Sequence, residues 1–219
     1  MSQTILLLLF NATLETISMV LVSGFFTLLF GLPIGTILFI TRCQNLYYQP
    51  IISAILTWLI NITRSIPFVI LMVALIPLTR LIAGTSIGTV AAMVPLTICA
   101  IPFFARITEN ILLEINPGLI ETGQAIGATT WQIIYKILIP ESLPGLINGF
   151  TLTLVSLAGY SAMAGAVGGG GLGDLAIRYG YQRFNIQILL ITMIIMVILV
   201  QTIQLVGDKS AKWFARPAN

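Results

Sequence analysis

The chain has 219 residues, of which 58% are hydrophobic and 8% charged, and its mean hydropathy is +1.04. A soluble domain needs about 25% charged residues to cover its outside, so the natural solvent here is lipid; at about 20 residues per span the length holds five or six membrane helices and no separate soluble domain. The net charge of +3 comes from scattered residues, which excludes the clustered basic footprint of a nucleic-acid binder. The lack of histidine removes the commonest metal ligand and neutral-pH base, and long apolar runs that do not alternate exclude a β-barrel.

Residues 16–41 carry no charge and read as the first span, with Gly24, Gly31, Pro33 and Gly35 inside it. Glu15 precedes the first basic residue, Arg42, so the basic n-region of a signal peptide is missing and this run is expected to be retained. Residues 43–79 contain only Arg64. Tyr47 and Tyr48 predict a surface segment, then a second span over about 58–80, kinked at Pro67 and Pro77. Arg64 would lie near one end of it and snorkel to the interface. Cys43 and Cys99 form no CxxC and read as small packed hydrophobes.

Span three is expected over 81–105 and span four over 142–173, the latter ending in the glycine cluster 168–171 and Gly173. Span five covers 184–207, followed by Lys209, Lys212 and Arg216. The expected fold is all-α: a polytopic bundle of about five transmembrane helices, a single domain over residues 1–219. Arg42, Arg106, Lys136, Lys209, Lys212 and Arg216 then share one side, with Arg64 nearby, and Arg80, Arg178 and Arg183 the other. The positive-inside rule makes the first side cytoplasmic, with the N-terminus outside and the C-terminus inside. Glu15, Glu109, Glu114, Glu121, Glu141, Asp174 and Asp208 all fall at expected span ends or in loops, which argues against an ion-coupled pump.

The polar stretch 106–141 has its own structure. Pro117-Gly118 opens a short helix to about Ile126, with Leu119, Gly123 and Ile126 on one face, and Gly127 ends it. Thr129 and Gln132 match a capping box that starts a second short helix with Ile133, Ile134, Ile137 and Leu138 on its apolar side and Pro140 near its end. Pattern alone leaves two readings: a helical linker lying on the membrane, or a docking element for a cytoplasmic partner.

Glu121-Thr-Gly-Gln-Ala-Ile-Gly127, with Ile137-Leu-Ile-Pro140 at the expected distance, resembles the EAA signature of ABC importer permeases. The family pattern is Glu-Ala-Ala, three residues, Gly, nine residues, Ile-x-Leu-Pro; here Thr122, Gly123 and Ile139 depart from it. Arg64-Ser-Ile-Pro-Phe68, Gly84-Thr-Ser-Ile-Gly88, Pro95-Leu-Thr97, Gly118-Leu-Ile-Glu121, Gly159-Tyr-Ser-Ala-Met163 and Gly170-Gly-Leu-Gly173 extend the likeness over nearly the whole chain, toward the methionine importer permeases. The resemblance implies a cytoplasmic coupling-helix loop and a homodimer in the inner membrane. It also implies two cytoplasmic ABC ATPase subunits, an extracytoplasmic binding protein, and methionine as substrate, with the enantiomer left open. The coupling residues would be Glu121, Gly123, Ala125, Gly127, Ala128, Ile137 and Pro140.

Gly168, Gly170 and Gly173 satisfy G-x-G-x-x-G, but they follow a membrane span and lack the acidic residue about twenty positions on. There is no P-loop motif, so ATP chemistry belongs to another chain and no cofactor or metal is expected. In span four, residues 158–166 alternate small residues with Tyr160 and Met163. Close packing of small residues around an adaptable thioether makes Met163 a candidate gate, with Tyr160 and Ser161 offering hydroxyls; Met163 as ordinary packing is the other reading. A stand-alone secondary transporter or channel remains the functional alternative. A membrane enzyme would need a convergent ionisable or metal-binding set that this sequence lacks.

Overall fold

The computed structural model describes residues 3–42 and 46–215, and regular structure among them is helical. Cys43 and Arg216 lie outside the described residues. Helix α1 (Gln3–Arg42) is 40 residues long, about 60 Å at 1.5 Å per residue. That is twice the ~30 Å hydrocarbon core, so the helix tilts or protrudes. It starts well before the expected residue 16.

Its small residues decide what it packs against. At Gly35 an added Cβ would lie 2.5 Å from the Ala105 carbonyl oxygen and 2.6 Å from Thr108 Cβ; at Gly31 it would lie 3.1 Å from Phe104 Cδ1. These contacts belong to α5 (Thr89–Leu113). On the other side of α5, Ile107 and Ile111 fill the space left by Gly149 and Gly145 of α8 (Ile139–Ala166). Both GxxxG spacings are therefore true contact seams, with backbones brought close by missing side chains.

Helix α5 runs past the expected end at 105. Arg106 and Glu109 do not stop it because Glu109 is fully buried and doubly paired. Its carboxylate accepts from Arg42 Nη1 at 3.2 Å and from Arg106 on its own helix. The ion cluster joins the ends of α1 and α5.

The second span is not one kinked helix. It is broken into α2 (Pro50–Ser65), α3 (Phe68–Ala74) and α4 (Ile76–Ala83), with α2 and α3 bent by 103°. Pro67 lacks a donor and pushes the residue before it out of the helical region; Ile66 is extended at φ −85, ψ 126.

The second loop helix and span four are also not separate. Helix α7 (Thr130–Ile133) continues through a π-helical turn (Ile134–Leu138) into α8, so that Thr130–Ala166 is one rod of 37 residues. In the π turn the Ile139 N–H donates to Ile134 O, five residues back, which absorbs the break at Pro140. Pro140 thus sits in the first turn of α8, not at the end of a helix.

The rod stops at Ala166, short of the expected 173. Helix α9 (Gly171–Leu175) and a π-helical turn (Ala176–Tyr181) then fold back against α1, α8 and α10 (Ile186–Phe214). The Gly171 N–H donates to Glu15 Oε2 at 2.6 Å and the Leu172 N–H to Thr16 Oγ1 at 2.9 Å. The glycine cluster is therefore a packed, capped element. Gly170 and Gly171 have φ of +78 and +73, which suits glycine.

The α1–α5 seam has no slack. Gly35→Ala should lower stability by about 1–3 kcal/mol through overpacking, seen as a reduced thermal midpoint of the detergent-solubilised protein; an unchanged midpoint would contradict this packing.

Candidate functional site

Two regions collect the residues singled out in the sequence. The first caps the end of the bundle that carries Arg42, Arg106 and Lys136. Helix α6 (Pro117–Ala125) starts with Pro117 in its first turn, and the Asn116 side chain accepts from Gly118 N at 2.9 Å, a normal N-cap. It ends in a Schellman motif: Gly127 N–H donates to Gln124 O at 2.9 Å and Ala128 N–H to Gly123 O at 3.0 Å. This requires the left-handed φ of +77 at Gly127. The capping box is also present, with Thr129 N to Gln132 Oε1 at 2.8 Å and Gln132 N to Thr129 Oγ1 at 3.3 Å.

The tight turn folds α6 onto the rod. Ile120, Ile133, Ile134 and Leu138 are buried with Phe39 and Leu112, and Ile137 is packed against them. Gly123 faces this cluster, where a Cβ would meet Ile137 Cδ1 at 2.8 Å. Leu119 and Ile126 therefore do not share its face as expected; they point outward. Glu121, Ala125, Gly127 and Pro140 are exposed and Ala128 is half-buried.

The outward surface is apolar. Ile126, Trp131 and Tyr135 are 79%, 77% and 76% exposed. Sequence reasoning did not pick Trp131 and Tyr135 as contact residues. The signal was available: they stand four apart, on the side of the helix away from the stripe at 133, 134, 137 and 138. Trp131 and Tyr135 are thus two large exposed aromatics at an otherwise charged end of the bundle.

The second region is a face of α8 at membrane depth. Tyr160 stacks on Phe68 of α3 at 5.0 Å between centroids and 17° between planes. Met163, one turn on, is 48% exposed on the outside of the chain. Ser161 is buried, and its hydroxyl donates to Ala158 O at 2.8 Å. The structure thus groups Tyr160 with Met163 and turns Ser161 inward.

Arg64 packs against α5 toward the end that carries Arg42 and Arg106. Its guanidinium carbon stands 5.9 Å from the Phe103 ring centroid, and Phe103 is in the middle of α5. Gly88 N bonds Gly168 O at 2.9 Å, which sets α5 and α8 at a common level there. Phe103 then lies roughly 20 Å below that level at 1.5 Å per residue. Arg106, at the basic end of the bundle, is three residues further along α5, so Arg64 stands within about one helical turn of that end. Among the described residues, no group of three or more His, Cys, Asp or Glu side chains could hold a metal ion.

The family described as "Binding-protein-dependent transport system inner membrane component" matches residues 28–217. The probable D-methionine transport system permease protein MetI of Vibrio cholerae is 52% identical over 201 residues, covering 92% of this chain and 89% of that protein. The D-methionine transport system permease protein MetI of Escherichia coli is 52% identical over 165 residues, covering 75% and 76%. Among solved structures, a chain of the MetNI methionine ABC transporter in inward-facing conformations superposes with a TM-score of 0.96 at 49% identity, covering 99% of this chain and 100% of that one. A chain of an amino acid ABC transporter with histidines has a TM-score of 0.70 at 18% identity, a likeness of fold alone.

Nothing lies within 4 Å of a Cβ placed on Gly127, so its substitution tests backbone conformation alone. Gly127→Ala should cost about 1–2 kcal/mol at the turn and speed hydrogen exchange of the Ala128 amide about tenfold. Unchanged exchange would show that the turn does not depend on a left-handed residue.

Proposed function

The chain belongs to the binding-protein-dependent transport system inner membrane component family, and on that premise we propose that two copies form the translocation pathway of an ATP-driven methionine importer. The observation that carries the mechanism is the exposed Ile126–Trp131–Tyr135 surface, because Trp131 and Tyr135 lie on the same continuous rod as Tyr160 and Met163. The names of the relatives and of the superposed transporter support methionine as the cargo.

In this reading residues 1–219 act as one transmembrane unit in the cytoplasmic membrane, N-terminus outside and C-terminus inside. Basic residues concentrate at the α6 end, which favours that end as cytoplasmic. A separate ATPase subunit docks there on each copy and hydrolyses ATP; the permease itself is not the enzyme. Glu121, Ala125 and Ala128 lie along the docking element, while Gly123, Ile137 and Pro140 shape its seat. An extracytoplasmic binding protein delivers substrate at the Gly88–Gly168 end. Closure of the ATPase dimer displaces α6 and α7, and the rod passes that displacement to the pathway. The two pathway states are thereby biased by the two motor states. Met163 serves as the gate, its thioether adapting to a sulfur-containing substrate.

Arg64, near the basic end of the bundle, does not favour a secondary transporter. A guanidinium is never deprotonated in a protein, so it cannot relay a proton. Glu109 is held between two arginines.

The test is methionine uptake into liposomes holding this chain, its ATPase and its binding protein. Uptake should require all three components and ATP. Gly127→Trp should abolish stimulated hydrolysis, and Trp131→Ala should weaken ATPase association by about 2 kcal/mol, or ~30-fold, as an exposed aromatic anchor does. Uptake by this chain alone, indifferent to ATP, would overturn the proposal.

A further inference from the structure

The region around Arg64 contains more than a charge. Thr63, Arg64, Phe68, Cys99, Phe103 and Tyr160 line a cavity of about 190 Å³ at the break between α2 and α3. Liquid water takes about 30 Å³ per molecule, so the space suits a small organic group better than a single ion. Arg64 is exposed in the single chain. Among the described residues no carboxylate stands within ion-pair distance of it.

Those facts conflict unless something completes the site. A guanidinium held against Phe103, inside the end of the bundle, is costly against lipid and belongs on a bundle interior or a water-filled cavity. Discontinuous helices are where substrate sites of membrane transporters form. Cation over aromatic ring is a partial compensation at 5.9 Å from Phe103. A planar guanidinium without a carboxylate partner can donate two parallel hydrogen bonds to one.

We infer that this cavity is a substrate station on the pathway, in which Arg64 takes the α-carboxylate of the transported amino acid; the inference rests on the importer reading above. Tyr160 also lines the cavity, and a phenol hydroxyl can donate to a carboxylate. Its ring, stacked on Phe68 at 5.0 Å, gives the thioether an aromatic surface of the kind sulfur favours. Met163 is three residues from Tyr160 on the same side of α8, which sets the station next to the gate. The arrangement selects for a carboxylate by charge and for an apolar side chain by its aromatic walls. An amino acid stripped of its carboxylate leaves Arg64 unpaired, and discrimination of that kind is large.

The experiment compares native protein with Arg64→Gln and Arg64→Lys in the complete liposome system. It records methionine uptake and ATP hydrolysis stimulated by loaded binding protein in the same vesicles. Arg64→Gln should lower methionine moved per ATP hydrolysed by about tenfold or more, with stimulated hydrolysis kept within about twofold. Lys keeps the charge but not the fork, so Arg64→Lys should lose only part of the ratio and recover at high methionine. A native ratio in Arg64→Gln overturns the inference. Should Arg64→Gln not assemble, Arg64→Lys decides: a native ratio and concentration dependence overturn it. Absence of uptake by the native system would instead sink the importer reading itself.

Discussion

The close approach of α1 to α5 is the contact on which the rest of the chain depends. Without side chains at Gly31 and Gly35 the two backbones meet, and the Ala105 carbonyl stands where a Cβ would be. Lipid gives no hydrophobic drive for helices to associate, so packing and polar contacts must hold them. Here the glycine seam supplies the packing, and the Arg42–Glu109–Arg106 cluster supplies the polar contact at one end. Helix α5, fixed on one side by α1, becomes the wall into which α8 sets Gly145 and Gly149. At the far end, Glu15 and Thr16 of α1 cap α9. Helix α1 is therefore tied to α5 at one end and to the re-entrant α9 at the other, and the bundle is assembled around that pair.

Prolines had different consequences in different surroundings. Pro67 broke its helix by 103°, because the preceding residue had room to become extended. Pro140 broke nothing, because a π turn placed the unpaired carbonyl one residue out of step and let the rod continue. Pro95 and Pro102 lie inside α5 without interrupting it. The residue type alone states that a hydrogen bond is lost; the neighbours decide whether the loss becomes a hinge.

That distinction explains what was legible in the sequence. Long apolar runs revealed helices α1, α5, α8 and α10, since hydropathy reports what must be inside lipid. The capping box at Thr129 and the stop at Gly127 were legible because both are local chemistry. Span boundaries drawn at charges failed at Glu109, where a charge paired at 0% exposure let α5 carry on. The glycine cluster at 168–173 read only as the end of span four, because its partners, Glu15 and Thr16, are more than 150 residues away. Tyr160, Ser161 and Met163 were found as a group, but only helical phase separates Ser161, whose hydroxyl is taken by its own backbone.

The continuous rod from Thr130 to Ala166 gives the two regions a physical relation. At 1.5 Å per residue its 37 residues span about 55 Å, from the exposed Trp131 to the end of the packed glycine element. A stiff helix transmits displacement only if its ends meet bistable partners. One end presents an apolar surface that water disfavours, and part-way along the rod Tyr160 lines the cavity that holds Arg64. Each place is incomplete in the single chain for its own reason. A docking partner at the first and a carboxylate at the second would remove both penalties. The π turn lies between them, just inside the buried seat formed by Ile133, Ile134 and Leu138. A turn of that type is a weak point in an otherwise regular helix, so a push from a docked partner would be converted into rotation, or lost, at the seat under α6. Tight packing of Gly123 on Ile137 at that point favours transmission, because a close-packed contact cannot absorb the motion.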